Sequence, residues 1–362
     1  MPRELLPTIL SYFDIPVGNY DITPIGHGLI NKSYVVTEAT THENKYFLQQ
    51  IDHNIFKDIP GLMQNIAVVT AYFKTLDNPP QHLRTYSTKT GQNYYHSATR
   101  EYIRLYNYVN GYTYHRAENL PMATESGRMF GEFLNALSGL DSSLLTPTIP
   151  HFHDINIRYA QFLESIASAG QERTTAAAAL IQLVHDNIQF VKEIYHELVE
   201  TCPLRATHND CKLSNLLFDK NLHGICVIDY DTLMPGYWPL DFADSVRTLC
   251  SSTLEDDKNI ANTRFDIGFF KAFATSFVNT LDGTITASEI NLLPKAVPYM
   301  PFLMGLRMLT DYLNNDIYYS TQYPDHNYYR AANQLTLYKS GSVLQDEMNN
   351  IVKNILYDPL KK

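Results

Sequence analysis

The first hundred residues are organised by alternation. Tyr20–Ile25 sets polar and apolar side chains in turn, Ser33–Thr37 repeats the pattern, and Lys45–Ile51 (KYFLQQI) repeats it again, so three strands are expected. Between the first two lies Gly26-His27-Gly28-Leu29-Ile30-Asn31, a glycine turn. Residues 2–17 predict a short amphipathic helix ending before Pro16. Pro60 stands where the first turn of a helix tolerates proline, and that helix is expected to run to about Leu76. Residues 84–106 predict two or three further strands, with Thr90-Gly91-Gln92 as a hairpin tip.

After residue 120 the period changes. Ala123–Leu137, Asn156–Ser168 and an Ala-rich stretch from about Glu172 to Val199 read as helices. Strand signals return only at Leu216–Phe218 and Ile225–Asp229, and helices fill the rest. The expected class is α+β: a small, mainly β N-lobe over 1–108 and a larger, mainly helical C-lobe over 109–362, divided within YNYVNG (106–111). A glycine turn between two strands, rather than between a strand and a helix, excludes a dinucleotide-binding or P-loop unit. It is the opening order of a protein-kinase-like N-lobe.

The chemistry concentrates in Thr207-His208-Asn209-Asp210-Cys211-Lys212-Leu213-Ser214-Asn215, which is H-x-D-x4-N before an apolar strand. Phosphoryl transfer needs a carboxylate that orients or accepts the proton of the acceptor hydroxyl, and a metal ligand a fixed distance away. Asp210 and Asn215 supply the two, with His208 bracing the loop. Downstream, Ile225-Cys226-Val227-Ile228-Asp229-Tyr230-Asp231 ends an apolar strand in two carboxylates. Mg²⁺ is held between one or two carboxylates and phosphate oxygens. Asp229 is expected to bridge to the nucleotide phosphates through Mg²⁺ together with Asn215, and Asp231 to support the loop or join a second ion.

Composition narrows the setting. The formal net charge of −10 disfavours nucleic acid and anionic membrane surfaces as partners. The four cysteines, Cys202, Cys211, Cys226 and Cys250, form no CxxC pair and read as reduced thiols. The N-terminal residues lack the unbroken apolar core of a signal peptide, and no apolar run approaches the roughly 18 residues of a membrane span, so a cytoplasmic protein is expected. His151-Phe152-His153-Asp154 has metal-ligand composition without further ligands, and His196-Glu197 lacks the second histidine of a zinc helix. Cys211 sits in an acidic setting that dulls a nucleophile. Asp241, Asp244 and Arg247 read as a buried brace for the catalytic loop. Met234–Gly236 reads as a turn at the substrate rim, where Tyr237 and Trp238 could stack on an acceptor ring.

These residues resemble the aminoglycoside phosphotransferase-like small-molecule kinases, and within them the N-acetylhexosamine 1-kinases. The likeness runs through GHGLINKSY (26–34), FLQQIDHNIFKDIPGLMQNI (47–66), THNDCKLSNLLFD (207–219), VIDYDTLMPG (227–236), PLDFADSVR (239–247), LRMLTDYLNNDIYY (306–319) and YPDHNYYRAANQL (323–335). It implies ATP as co-substrate, Mg²⁺ as cofactor and the anomeric hydroxyl of an N-acetylhexosamine as acceptor, in a monomer or homodimer. It implies Asp210 as catalytic base and Asn215 and Asp229 as metal ligands. It further implies Gly26 and Gly28 over the phosphates and Arg307 at the sugar; helical spacing sets Asp311 and Tyr318 near the face of Arg307, His27 lies in the glycine turn within reach of sugar or phosphate, and Asn31 and Gln50 are expected at the nucleotide. An i,i+4 ion pair between Arg307 and Asp311 is the structural alternative to that sugar contact. One departure stands out: such kinases usually carry a Lys or Arg on the third strand, and Gln50 stands there by register. Lys32 or Lys57 would then have to help, and residues 60–76 offer no Glu to pair with a strand cation. The open alternatives are an amino alcohol, homoserine or aminoglycoside acceptor, and a catalytically weak nucleotide-binding pseudokinase.

Overall fold

A computed structural model of the chain describes residues 6–25, 31–97 and 101–356. A short helix α1 (Leu6–Leu10) precedes a sheet built from β1 (Tyr20–Pro24), β2 (Lys32–Glu38) and β3 (Asn44–Ile51). Helix α2 (Ile59–Phe73) interrupts it, and β4 (Tyr95–His96) and β5 (Tyr102–Asn107) complete it in the antiparallel order β1-β2-β3-β5-β4. Helix α1 is shorter than its apolar pattern suggests. Asp14 N bonds Ser87 O and Lys89 N bonds Tyr12 O, so residues 12–14 leave the helix to pair with the arm before Gly91. Gly91 turns that arm at φ +81°, a backbone that favours glycine. Asp58 caps α2 by accepting from Gly61 N, and Pro60 sits in its first turn as expected.

The helical part begins with α3 (Leu120–Leu137), capped by Asn119, and α4 (Ile155–Ser168), capped by Asp154. The Ala-rich stretch is two helices, α5 (Gln171–Ala176) and α6 (Ala178–Thr201), because Ala177 leaves helical geometry at ψ 0°. Two small antiparallel ribbons follow, β6 (Arg205–Thr207) with β9 (Met234–Gly236), and between them β7 (Leu216–Phe218) with β8 (Gly224–Val227). Helices α7 (Trp238–Leu249), α8 (Ile267–Thr280), α9 (Ala287–Leu313), α10 (His326–Ser342) and α11 (Gln345–Leu356) close the lobe. A Thr286/Glu289 capping box starts α9, which is buried almost all round despite three internal prolines. Met234–Gly236 is thus a paired strand rather than a rim turn. Trp238 is fully buried, its Nε1 donating to Ala206 O at 3.2 Å under the Arg205 guanidinium, and cannot stack on an acceptor.

The faces of the sheet fix what reaches the interlobe cleft. Tyr46, Leu48, Ile103 and Leu105 pack with Phe13 and α1 in a core on the outer face. Phe47, Ile51, Tyr102 and Tyr106 pack on the other face, in the core shared with α2, α3, β7 and β8. Strand side chains alternate between faces, so Gln49 and Arg104 share the cleft side and Gln50 lies on the other. This two-lobed, protein-kinase-like arrangement places β6–β9 and their loops beneath the sheet.

Candidate active site

Strand β6 delivers the catalytic loop, and buried groups hold it. Asp241, in the first turn of α7, accepts from His208 N (2.9 Å) and Asn209 N (2.7 Å). Asn209 adopts the left-handed conformation at φ 62°, and its amide donates to Thr207 Oγ1, Thr232 O and Met234 O. Opposite it, a Cβ on Gly236 would lie 2.4 Å from Thr207 Oγ1 and 2.7 Å from Asn209 Oδ1, so only glycine lets β9 approach. His208 donates from Nε2 to Ile228 O (2.9 Å), tying the catalytic loop to the segment after β8. Burial lowers its pKa and keeps it neutral, among Phe130, Phe133 and Tyr230. Asp244 pairs with Arg247 (2.8 Å), which also binds Glu255 (2.6 Å), so of the brace expected from sequence Asp241 is the member that bonds the loop.

Asp210 is bonded by Lys212 Nζ (2.7 Å) and Asn215 Nδ2 (2.9 Å). Burial works against its charge, but Lys212 and these hydrogen bonds outweigh it and hold the carboxyl below the ordinary range. Lys212 is a site residue that the sequence reading passed over, although it stands inside the motif itself. Asn215 spends its Nδ2 on Asp210, to both O (2.8 Å) and Oδ2, and its backbone O accepts from Ile228 N. Its carbonyl Oδ1 is therefore the atom available to a cation. Asp229 follows β8 in a left-handed conformation (φ 66°), and burial, then the neighbouring Asp231, push its pKa up to about 7. Cys211 is buried with its thiol pushed well up, and Ser245 Oγ bonds its carbonyl, so it packs rather than reacts.

A donor set of one amide oxygen and one carboxylate that is costly to ionise suits a hard divalent ion that also takes phosphate oxygens. Among the described residues no three His, Cys, Asp or Glu side chains gather as a metal cluster, so such an ion would lean on the nucleotide for its remaining ligands. Asp231 is committed elsewhere. It accepts from Asn31 Nδ2 (2.6 Å), 200 positions earlier, and forms a buried ion pair with Arg104 of β5. Gln49 Oε1 accepts from both Nε (3.0 Å) and Nη2 (2.7 Å) of that guanidinium. Asp231 thus ties the sheet to the loop that carries Asp229, and Asn31 is part of this tie.

Gln50 is a correction to the sequence register. It points to the outer face and donates to Glu101 (3.3 Å), while Gln49 faces the cleft. Lys45 pairs with Glu43 and Glu38, away from the site. Gly26, His27 and Gly28 lie outside the described residues.

Among the residues expected at the sugar, Arg307 makes no ion pair with Asp311. It contacts Met304 Sδ (3.6 Å) and lies over the rings of Phe152 (4.8 Å) and Tyr319 (5.9 Å). Asp311 has a different task from the one expected: it accepts from Tyr318 N (2.8 Å), Tyr319 N (2.9 Å) and Asn327 Nδ2 (2.9 Å), and so shapes the loop after α9. Tyr318 itself is exposed, edge-on to Tyr319. The segment 151–154, dismissed as a metal site, packs here instead. Burial, then Arg307 and Arg158, press the His153 pKa down to about 3, with Asp210 opposing, which sets His153 in the field of both sides of the site. Arg158 is lowered to about 10 by burial and by Arg307. No signal in the sequence joins residues 152–158 to α9; only the fold does.

Residues 21–273 match the phosphotransferase enzyme family. Solved structures share the whole fold at low identity. A microcompartment-associated aminopropanol kinase is 14% identical with a TM-score of 0.63, over 96% of this chain and 98% of that one. An aminoglycoside phosphotransferase from Alicyclobacillus acidocaldarius is 13% identical with a TM-score of 0.62, over 96% of each chain. An amicoumacin kinase in complex with AMP-PNP and Ca²⁺ is 10% identical with a TM-score of 0.59, over 98% of this chain and 94% of that one. Among the described residues, no helix is long and apolar enough to cross a membrane.

Proposed function

This chain belongs to the phosphotransferase enzyme family, and on that premise we propose that it transfers the γ-phosphoryl group of ATP to a hydroxyl of an uncharged, oxygen-rich small molecule, with the anomeric hydroxyl of an N-acetylhexosamine as acceptor. The nucleotide reading is supported by the amicoumacin kinase that shares the fold with AMP-PNP and Ca²⁺ bound.

Asp210 orients the acceptor hydroxyl and takes its proton as the bond to phosphorus forms. Its lowered pKa makes it a weak base, which suits a loose transition state in which the proton leaves late. Lys212, 2.7 Å from Asp210, places a positive charge where the phosphoryl group passes. Asn215 Oδ1 and Asp229 would hold Mg²⁺. When bound, that ion neutralises phosphate charge. No covalent enzyme intermediate is required.

The observation that carries the acceptor class is the charge around Arg307. Arg307 and Arg158 both press on His153, Arg307 presses on Arg158, and among the described residues no carboxylate stands within ion-pair distance of either guanidinium. A cationic acceptor such as an amino alcohol or aminoglycoside would be repelled there. A sugar offers hydroxyl and carbonyl oxygens that guanidinium groups can bind. The test is a phosphorus NMR screen with ATP and Mg²⁺ across N-acetylhexosamines, neutral hexoses, ethanolamine and homoserine. A sugar 1-phosphate signal supports the proposal, and an O-phosphorylated amino alcohol as the only product overturns the acceptor class. Arg307→Ala should raise the acceptor KM at least tenfold with little change in the KM for ATP.

A further inference from the structure

We propose that Arg104, on β5, is the cation that holds the nucleotide phosphates in this enzyme, doing from the neighbouring strand what a Lys or Arg on β3 would otherwise do. The proposal rests on the phosphotransferase reading given above and adds a phosphate-binding residue to that site.

Three observations converge on it. Placement comes first. β3 and β5 pair with Gln49 opposite Arg104, and both side chains lie on the cleft face of the sheet. The position on β3 that faces the metal loop is thus the uncharged Gln49, and its direct cross-strand neighbour is the charged residue. Gln49 does not substitute for a cation; it aims one. Its Oε1 accepts from Nε and Nη2 of Arg104, and its own Nε2 donates to Ser33 Oγ on β2 (3.1 Å), which fixes the amide. A lysine at 49 would repel Arg104 and remove that acceptor.

Charge is the second. Asp231 and Asp210 both act electrostatically on Asp229, and a nucleoside triphosphate brings further negative charge to them. Lys212 stands on the loop beside Asp210, at the transferred group, and not on the sheet. Lys45 is engaged with Glu43 and Glu38. Lys32 opens β2 opposite Gln50, with an exposed side chain. Among the described residues of the sheet, Arg104 is the cation that faces Asp229 and Asp231, and it acts electrostatically on both.

The third is the fork itself. Gln49 and Asp231 engage Nε, Nη2 and Nη1, one N–H each, while a guanidinium carries five. Two N–H groups remain on a guanidinium that is 1% exposed, so phosphate oxygens take them as a bidentate pair by displacing what covers the fork. Asp231 holds the guanidinium at the site before nucleotide arrives and shares it afterwards, while Asn31 retains Asp231.

The competing role for Arg104 is a clamp that merely neutralises Asp231. Removing Arg104 alone would strand a buried carboxylate and could unfold the lobe. The decisive variant is therefore the neutral pair Arg104→Gln with Asp231→Asn, studied by titration calorimetry with Mg·ADP and by thermal melting. The expected result is a Tm near that of the unaltered enzyme with Mg·ADP binding weakened 10- to 100-fold. Adding Gln49→Lys to that pair should restore at least tenfold of the lost affinity by returning a cation to the cleft face. Mg·ADP affinity within twofold of the unaltered enzyme in the neutral pair overturns the proposal, and so does failure of Gln49→Lys to recover binding in a folded protein. If the neutral pair does not fold, Arg104→Lys carries the test: it keeps the charge beside Asp231 but loses the fork. About tenfold weaker Mg·ADP binding at an unchanged Tm is expected, and unaltered affinity overturns the assignment. The unaltered enzyme separates the two levels: no Mg·ADP binding there defeats the phosphotransferase reading itself, whereas binding that ignores Arg104 defeats only this inference.

Discussion

Replacing Asp311 by Asn should loosen the acceptor side without touching the nucleotide. Asp311 Oδ1 accepts from Tyr318 N, and Oδ2 accepts from both Tyr319 N and Asn327 Nδ2. An amide keeps one oxygen. Oriented best, it still receives the Tyr319 and Asn327 bonds, now without ionic assistance, and turns an N–H₂ toward Tyr318 N. One unmet donor costs about 1–3 kcal/mol, and weakening two charge-assisted bonds adds about 1 kcal/mol, so about 2–4 kcal/mol is expected. That is a large share of a typical total of about 5–15 kcal/mol, yet leaves the protein folded at 25 °C. Urea unfolding should show a lower midpoint at an unchanged slope. Because the same loop carries Tyr319 against Arg307 and Arg330, the acceptor KM should rise several-fold while the KM for ATP stays constant. Unaltered stability combined with lost acceptor binding would refute this reasoning, and would return Asp311 to the direct sugar contact that its helical spacing from Arg307 first suggested.

Two further outcomes follow from the same geometry. His153 is held neutral, its pKa pressed to about 3 by burial first and then by Arg307, against an ordinary 6.5. The unfolded chain therefore binds the extra proton, and stability present above pH 6.5 is lost as pH falls below it, by about 2 kcal/mol at pH 5; His153→Phe should flatten that part of the stability–pH curve, and an unchanged slope would contradict the burial. Gly236→Ala puts a Cβ into Thr207 and Asn209. It should cost about 1–3 kcal/mol in denaturant unfolding and lower kcat by displacing the catalytic loop, and a variant as active as the unaltered protein would show that β9 does not set the position of Asp210.

What the sequence made legible was the local chemistry. Asp210 and Asn215 bond each other within one short loop, Asp229 follows the paired strand β8, and Asp241 holds the loop by its backbone as expected. The residues it hid are the ones joined by the fold over long separations. Arg104 meets Asp231 across 127 positions, and nothing in YIRLYN marks its arginine as different from a solvated strand charge. His153 reaches the site through the packing of α4 and α9, which no local pattern records. The register of β3 was misread for a physical reason. Both faces of that strand are covered, so KYFLQQI alternates between two cores rather than between core and water, and parity cannot tell Gln49 from Gln50. Asp311 was expected at the sugar or in an i,i+4 pair with Arg307, but its partners come from the loop beyond the helix and from α10.

The account turns on Asp210 as the group that orients and deprotonates the acceptor hydroxyl. Asp210→Asn keeps the shape and the nucleotide side intact, so single-turnover transfer from ATP in the presence of Mg²⁺ should slow by about 10²–10⁴-fold while Mg·ATP binding measured by calorimetry stays within about twofold. Transfer at the unaltered rate, or a rate loss fully explained by weaker Mg·ATP binding, would contradict it.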